Sequence, residues 1–299
     1  MENKEDIMAG EMSREYFTLK DGTKVPKIGF GCYNPGKLDF VEVLRNAVEA
    51  GYRYFDTASF YETERDLAKA LRQTGIPRQE VQIASKAWHD EMGYEETRAA
   101  FTRTLERLET DYLDVYMIHW PKPCENDPDW KERDLQTWKA LTELKKEGKI
   151  RHLGMSNFLP HHLNNIFENS DCAPEVDQLE MHIGYSQEAA REFCQKKNIL
   201  VQAWGPLGRG KVNDNPIINA MAKKYGKTFS QISLRFLIQK GVMPIPKSGS
   251  REHMLDNMRI FDFEISEEDM WMLTCMPQET WQGEHPDFAV PKMKSNFAQ

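Results

Sequence analysis

The sequence has no run of roughly 20 consecutive apolar residues, the length that a membrane-spanning helix needs. It has only five cysteines, scattered along the chain without a CxxC pair. This spacing argues against a disulfide framework and favours a reducing, cytoplasmic setting. Basic residues are in the minority, with 39 lysines and arginines against 47 acidic residues and a net charge of -8. Because nucleic acids are bound by basic surfaces, this charge argues against duplex nucleic acid as the main partner.

The N-terminal segment MENKEDIMAGEMSRE lacks the apolar stretch of a secretory signal. We expect residues 1–13 to form a disordered tail. No linker rich in proline, glycine or serine divides the remainder, so we expect residues 14–299 to form one domain that acts as a monomer.

The sequence does contain a regular alternation of strand-like and helix-like segments. Two short β-prone runs flank Asp21 and Gly22, a dipeptide typical of a two-residue hairpin turn. Eight strand-like runs follow, from KIGFGCY (27–33) to VMPIPKS (242–248), and most precede an amphipathic helix pattern. Strands that alternate with helices run parallel. Eight of them predict an α/β fold, a closed (β/α)8 TIM barrel, with the N-terminal β-hairpin closing the barrel bottom.

Polar or aromatic residues lie at the ends of several of these apolar runs, where a strand has no structural need for them. In a (β/α)8 barrel the active site lies at the carboxyl ends of the strands. The residues at these ends are Asp56, Lys86, His119, Asn157, Gln178, Trp204 and Lys247. We therefore expect side chains that are distant in sequence to meet at one mouth of the barrel.

Asp56, Tyr61, Lys86 and His119 form a set of residues that can hold and move a proton. The pKa of tyrosine is near 10, so it is a poor acid at pH 7 unless a neighbouring cation stabilises its phenolate. Lys86 can supply that charge, Asp56 can hold the lysine, and His119 can orient a bound oxygen. Singly, each residue has a simpler explanation as an ion-pair partner or core residue. Together, at three strand ends, they favour a catalytic role.

The segments FDTASFYETE, IASKAW, DYLDVYMIHWP, GKIRHLGMSNF and PIPKS, in this order, resemble the aldo-keto reductase superfamily. The similarity is to its diketogluconate reductase-like and prostaglandin F synthase-like members of bacteria or protists, and it runs from about Tyr16 to Ser266. It implies a (β/α)8 barrel and an NAD(P)H-dependent oxidoreductase that reduces aldehydes or ketones to alcohols.

The resemblance also implies a role for each residue of the set. Hydride transfer to a carbonyl carbon leaves negative charge on the oxygen, and a positioned proton donor stabilises that charge. By resemblance, Tyr61 is the general acid, Lys86 lowers the pKa of Tyr61, and Asp56 pairs with Lys86. His119 is expected to donate a hydrogen bond to the substrate oxygen.

The nicotinamide of the cofactor is expected to contact four residues. Family resemblance places Ser156, Asn157 and Gln178 at its carboxamide, where hydroxyl and amide groups satisfy both donor and acceptor. Trp204 stands where the family usually has a tyrosine stacked on the nicotinamide ring, and its larger π face preserves that role. A core aromatic on a strand is the competing interpretation of Trp204.

The rest of the cofactor is expected to lie along the last strand ends and the helix after them. The positions that the resemblance implies are Leu207, Lys247, Ser248, Arg251, His253 and Asn257. His253 stands where the family has an arginine that holds the 2′-phosphate of NADPH, and the nearest arginine is Arg251. A mostly neutral histidine does not clamp a phosphate bidentately. We expect NADPH as the cofactor, with NADH or dual use as the alternative.

The substrate pocket is expected to have an aromatic wall. Tyr33, Trp88 and Trp120 resemble that wall in the family, and the segment after Phe263 is expected to supply a C-terminal substrate loop. The substrate is a small carbonyl compound. Short aldehydes such as methylglyoxal, keto-sugars and prostaglandin-like ketones all fit.

Two other kinds of function stay open at this point. A regulatory or sensor protein would bind the cofactor with little turnover, and a lyase or isomerase would use Lys86 as a Schiff base without nicotinamide. No metal is expected, because His161 and His162 lack the spacing of a ligand motif and His119 does not complete one.

Overall fold

The structure is a computed structural model that describes residues 15–33, 36–124, 126–211, 213–278 and 284–288. The expected tail over residues 1–13 and most of the expected C-terminal substrate loop lie outside the described residues. The strands are β1 (Tyr16–Thr18), β2 (Lys24–Pro26), β3 (Phe30–Gly31), β4 (Tyr54–Asp56), β5 (Gln82–Ala87), β6 (Leu113–Ile118), β7 (Ile150–Ser156), β8 (Val176–Glu180), β9 (Leu200–Trp204) and β10 (Val242–Pro244).

Helices follow the barrel strands and cover their outer face. They are α1 (Phe40–Glu49), α2 (Glu64–Thr74), α3 (Tyr94–Leu108), α4 (Trp130–Lys146), α5 (Pro160–Asn169), α6 (Glu188–Lys196), α7 (Pro216–Tyr225), α8 (Phe229–Gln239), α9 (Arg251–Met258) and α10 (Glu267–Thr274). Helix α1 shows how the sequence sets such an element. Asp39 caps it by accepting hydrogen bonds from the Val41 and Glu42 backbones, and its apolar face is buried. None of the described helices is long and apolar enough to cross a membrane.

Strands β3 to β10 form one eight-stranded parallel sheet in chain order, which confirms the predicted barrel. The ring closes between its first and last strands. Gly29 N donates to Pro244 O at 3.0 Å, and Gly31 N donates to Pro246 O at 3.0 Å. Proline has no N–H, so Pro246 cannot donate the return bond to the Gly29 carbonyl that a parallel pair would otherwise contain. Both of these hydrogen bonds therefore run from an N–H group of the first barrel strand segment to a carbonyl group of the last one.

Strands β1 and β2 form the predicted hairpin, which closes the amino-terminal end of the barrel. They pair antiparallel, with Phe17 opposite Val25. Leu19 and Val25 are buried in one apolar cluster with inward-facing residues of the barrel strands. Gln82, the first residue of β5, donates from Nε2 to Lys24 O at 2.7 Å. The opposite, carboxyl-terminal end is thus the open mouth.

Candidate active site

The structure brings the four proton-handling residues, Asp56, Tyr61, Lys86 and His119, together at the mouth, and we call these four residues the tetrad. Asp56 ends β4, Lys86 lies one residue before the end of β5, and His119 directly follows β6. Tyr61 lies in a short 3-10 turn, Ser59–Tyr61, just after β4. Adjacent parallel strands end at the same edge of the barrel, so this chain topology is sufficient to place all four side chains in one site.

Lys86 is the centre of this group and is fully buried. Its Nζ donates to both carboxylate oxygens of Asp56 at 2.7 Å and to Thr57 O at 3.1 Å. It also lies 3.4 Å from the Tyr61 hydroxyl. A buried ammonium is tolerated only when paired and hydrogen-bonded, and the carboxylate meets that need. Burial lowers the pKa of Lys86, while the Asp56 charge acts in the opposite direction.

The pKa of Tyr61 is raised well above its usual value, first by burial and then by the negative charge of Asp56. This is the net direction, and the lowering effect expected of Lys86 stays a prediction. The guanidinium of Arg209 is one group whose charge acts to lower the Tyr61 pKa.

His119 completes the set on the other side of the phenol. Its Nε2 lies 3.4 Å from the Tyr61 hydroxyl, and the two rings meet edge to face at 5.5 Å. Burial, together with the charge of Lys86, lowers the pKa of His119 well below its usual value. The imidazole is therefore neutral at physiological pH. It can donate one hydrogen bond to an oxygen that also contacts Tyr61.

A chain of buried polar side chains supports the site from inside the barrel. Gln178 Nε2 donates to Asp56 Oδ1 at 2.8 Å and to Gln202 Oε1 at 3.1 Å. Gln202 Nε2 in turn donates to the Tyr54 hydroxyl at 2.7 Å. Both amide hydrogens of Gln178 are thus engaged with protein, so the oxygen Oε1 is what it can offer to a ligand.

Ser156, Asn157 and Trp204 form a connected wall beside the tetrad. Asn157 adopts a left-handed backbone, φ 65°, which asparagine tolerates better than most residues. Its Nδ2 donates to His119 O at 3.0 Å, and its Oδ1 accepts from Trp204 Nε1 at 2.8 Å. Ser156 Oγ donates to Gln178 O at 3.0 Å. Asn157 therefore links the indole to the backbone that carries the histidine.

The residues expected at the far end of the cofactor follow β9 and β10. Leu207 lies in the loop after β9, and Lys247 and Ser248 follow β10. Ser248 Oγ donates to Ser250 O, and Ser250 caps α9 by accepting from the His253 backbone. Arg251 and His253 are exposed on the first turn of α9, whereas Asn257 is buried farther along the helix. These residues thus follow the carboxyl ends of the last two strands, at a distance in sequence from the tetrad.

Aromatic rings surround the tetrad on the substrate side. Tyr33 lies 4.9 Å from the Tyr61 ring, and Trp88 lies 4.7 Å from His119, centroid to centroid. Sequence reasoning missed Phe60, which stacks on Trp88 at 3.9 Å with an interplanar angle of 16°. Trp120 is buried directly after His119 in the chain.

Sequence reasoning also missed Arg209 and Glu284. The Arg209 guanidinium lies 5.0 Å from the centre of the Trp204 ring and 3.0 Å from Glu284 Oε2. The run Gly208-Arg209-Gly210, just after a strand end, is the sequence feature that could have indicated Arg209. Glu284 lies in the C-terminal segment 284–288, and no comparable feature of the sequence indicates it.

Two clusters of potential metal ligands lie outside the tetrad among the described residues. One consists of Asp21, His152 and Glu175, and the other of His161, His162 and Asp287. His162 Nδ1 accepts a hydrogen bond from Leu159 N, so its proton is on Nε2, which then donates to Asp287 at 3.1 Å. Lys122 Nζ also contacts that carboxylate at 2.9 Å. This arrangement suits hydrogen bonds and an ion pair, and the absence of a metal stays a prediction.

Comparisons with known proteins agree with this geometry. Residues 27–275 match the Aldo/keto reductase family. The chain is 37% identical over 278 residues to a 9,11-endoperoxide prostaglandin H2 reductase of Trypanosoma cruzi, covering 92% of this chain and 95% of that protein. It is 38% identical over 270 residues to a glyoxal reductase of Bacillus subtilis, covering 90% and 95%.

A solved structure of a Bombyx mori aldo-keto reductase in complex with NADP has the same fold. It superposes with a TM-score of 0.82 at 27% identity and covers 92% of this chain and 98% of that one. The chain therefore belongs to the aldo/keto reductase family, and with it to the oxidoreductases that use a nicotinamide cofactor on small carbonyl compounds.

Proposed function

We propose that the protein reduces an aldehyde or ketone to an alcohol with NADPH, and that Tyr61 is the general acid. The observation that supports this is the position of the Tyr61 hydroxyl, 3.4 Å from Lys86 Nζ and 3.4 Å from His119 Nε2. A carbonyl oxygen placed between Tyr61 and His119 would accept hydrogen bonds from both. Developing negative charge on that oxygen is what such donors stabilise.

The residues at the mouth fit a nicotinamide cofactor in two respects. The Trp204 ring is fixed by the hydrogen bond that its Nε1 donates to Asn157, and an indole face is suited to stacking on a nicotinamide ring. Gln178 has committed its amide hydrogens to protein, so its Oε1 is suited to accept from the carboxamide NH2. When bound, the dihydronicotinamide supplies a hydride to the carbonyl carbon.

The chain's own residues complete the reaction. Tyr61 transfers its proton to the carbonyl oxygen as the carbon accepts the hydride, so one C–H and one O–H bond form. Lys86 donates to the phenolate oxygen that is left, and Asp56 keeps the lysine charged in its buried place. His119 stays neutral and holds the substrate oxygen in line.

The tyrosine is tested by Tyr61→Phe. We expect kcat with a test aldehyde to fall by about 10²- to 10⁴-fold, while the Kd for NADPH changes by less than about twofold. Tyr112→Phe is the matched control, because Tyr112 packs against Arg78 and Arg151 directly before β6, at the end of that strand opposite His119. Near-normal turnover in Tyr61→Phe would contradict the proposal. Tight NADPH binding by the wild type with no turnover on any carbonyl would favour the sensor function.

The preference for NADPH rests on Lys247, Ser248 and Arg251 beside the start of α9. A lysine, a hydroxyl and a helix N-terminus together favour a phosphate, although His253 contributes less than an arginine would. Comparing kcat/KM for NADPH and NADH tests this choice, and a strong preference for NADH would contradict it. Relatives named for glyoxal and for prostaglandin H2 make short dicarbonyls and prostanoids the first substrates to assay.

A further inference from the structure

The turn that carries Tyr61 is fixed to the neighbouring strand by side chains outside the tetrad. The other three members of the tetrad lie in a strand or directly follow one, whereas Tyr61 is the last residue of the short 3-10 turn Ser59–Tyr61. The hydrogen bonds of a 3-10 turn have poor geometry, so such a turn holds its residues less firmly than a paired strand does. The position of the phenol therefore depends on what holds this turn.

Glu91 holds the turn through one carboxylate oxygen. Its Oε2 accepts from Ser59 Oγ at 2.5 Å and from the backbone N of Trp88 at 3.0 Å. Ser59 is the first residue of the turn, and Trp88 lies two residues after Lys86 in the chain. A single oxygen therefore connects the turn that carries the phenol to the segment that follows the buried lysine.

Two weaker contacts run between the same two segments. Ser59 Oγ also lies 3.2 Å from Lys86 O, and the Phe60 ring stacks on Trp88 at 3.9 Å. Because a hydroxyl has one proton and a carboxylate is the stronger acceptor, the shorter contact of Ser59 with Glu91 is the stronger hydrogen bond. Loss of the carboxylate would leave the turn with the contact to Lys86 O and the ring stack.

Glu91 is itself held in place. Its side chain is only 12% exposed, and its Oε1 lies 3.3 Å from Arg103 Nη2 on α3. Its backbone carbonyl accepts from Thr97 Oγ1 on the same helix at 2.8 Å. The carboxylate thus has a fixed position, and its shared oxygen fixes the turn and the segment after β5 relative to each other.

We propose that Glu91 is a positioning residue for carbonyl reduction, which sets the distance between Tyr61 and Lys86 through Ser59. The inference rests on the proposed role of Tyr61 as the general acid. The Tyr61 hydroxyl lies 3.4 Å from Lys86 Nζ and 3.4 Å from His119 Nε2, so a small shift of the turn would break both contacts. A misplacement of about 1 Å can lower the rate of a chemical step by about 10²-fold.

Glu91→Ala removes both hydrogen bonds and tests this role. We expect the single-turnover rate of reduction, with bound NADPH and glyoxal as the test aldehyde, to fall by about ten- to a hundredfold. Glu91→Gln should keep the rate within about threefold of the wild type, because its amide oxygen can accept from both Ser59 Oγ and Trp88 N. Ser59→Ala removes one of the two bonds from its other partner and should lower the rate by about three- to tenfold. The test therefore does not depend on the folding of a single variant.

A double variant with Tyr61→Phe separates positioning from a general loss of structure. If Glu91 acts through the phenol, Glu91→Ala should change the residual rate of Tyr61→Phe by less than about twofold. The Kd for NADPH, measured by tryptophan fluorescence, should change by less than about twofold in every variant, because the residues expected to bind the cofactor follow other strands. Glu147→Gln breaks a different ion pair with an arginine of α3, Arg98, and is the matched control that should leave rate and Kd unchanged.

Three outcomes would overturn the inference. They are a Glu91→Ala rate within about threefold of the wild type, an equal fractional loss in the Tyr61→Phe background, and a Glu91→Gln rate as low as that of Glu91→Ala. Failure of the proposed function gives a different result, because then the wild type would reduce no aldehyde or Tyr61→Phe would itself react at a near-normal rate.

Discussion

At the scale of single residues, the tetrad pairs an acid that resists losing its proton with a base that resists gaining one. Burial raises the pKa of Tyr61 and lowers the pKa of His119. Both are therefore neutral across the physiological range. Tyr61 has a proton to give, and His119 has no positive charge that would have to be removed before it can orient a carbonyl.

These pKa directions predict the pH dependence of carbonyl reduction. Tyr61 must be protonated to act, and His119 must be neutral, so kcat/KM should be flat from about pH 6 to about pH 9. Activity should fall only at more alkaline pH, as Tyr61 ionises. The measurement is a pH profile of reduction with a fixed aldehyde. An acidic limb near the ordinary histidine pKa would contradict a neutral His119.

His89 gives a separate prediction for acid stability. It is buried, it stacks on Trp88 at 4.2 Å, and neither ring nitrogen has a hydrogen-bond partner among the described residues. Burial lowers its pKa to about 4 from 6.5. The unfolded chain therefore binds a proton at a pH where the folded chain does not, and folding stability is lost as pH falls from about 6.5 towards 4.

His89→Phe should keep the ring stack and remove this titration. We expect the wild type to lose about 3 kcal/mol more free energy of unfolding between pH 7 and pH 4 than the variant does. Urea unfolding at several pH values measures the difference. Equal losses in the two proteins would show that His89 does not titrate in this way.

The sequence predicted the four members of the tetrad because each lies at or close to the end of an apolar strand, and strand ends converge in a barrel. The pKa of Tyr61 was beyond such reasoning. Its direction depends on how deeply the phenol is buried and on the negative charge of Asp56 beside it. Sequence reasoning missed Arg209 for a similar reason, because its position depends on an ion pair with Glu284, which lies in a distant segment of the chain.

At the scale of elements, the sequence predicted which segments are strands better than it predicted their lengths. The first and last barrel strands were expected over residues 27–33 and 242–248, but they are Phe30–Gly31 and Val242–Pro244. Prolines at 244 and 246 remove hydrogen-bond donors at the seam, so regular pairing stops there. Apolar patterns in a sequence indicate which residues are buried. The residue at which a strand ends depends instead on which backbone groups can form hydrogen bonds.

Strand β7 provides a test of packing inside the barrel wall. A methyl group at Gly154 would lie 2.7 Å from Met117 Cγ and 3.2 Å from Val176 O. The backbone of the neighbouring strand, which carries Val176 O, cannot move aside easily. Gly154→Ala should therefore lower the free energy of unfolding by about 1–3 kcal/mol. Gly249→Ala is the control. Its methyl group would meet only the tip of the exposed Leu38, so thermal or urea unfolding should change little.

At the scale of the whole molecule, the C-terminal segment 284–288 is tied to the loops and helices around the mouth. Asp287 accepts from Lys122, His161 and His162 at 2.9, 3.2 and 3.1 Å. These contacts hold the carboxylate in its charged form and bring the pKa of Asp287 down to about 2. The segment is thereby anchored to the loop after β6 and to the first turn of α5.

Asp287→Ala should loosen this anchor without touching the cofactor side. We expect the KM for a bulky carbonyl to rise by about three- to tenfold, with the Kd for NADPH unchanged. Asp262→Ala, which breaks a pair with Lys227 away from the mouth, is the control and should leave both constants as they are. A rise in the NADPH Kd would show that the segment serves the cofactor instead.

The hairpin and the mouth lie at opposite poles of the barrel, and this has a practical consequence for immobilised enzyme. Lys20, in the loop between β1 and β2, is exposed. A protein attached to an electrode or bead through Lys20 would point its mouth towards the bulk liquid and stay open to reagents. Attachment through the segment 284–288 would press the entrance against the support, so the topology itself dictates which end should carry the tether.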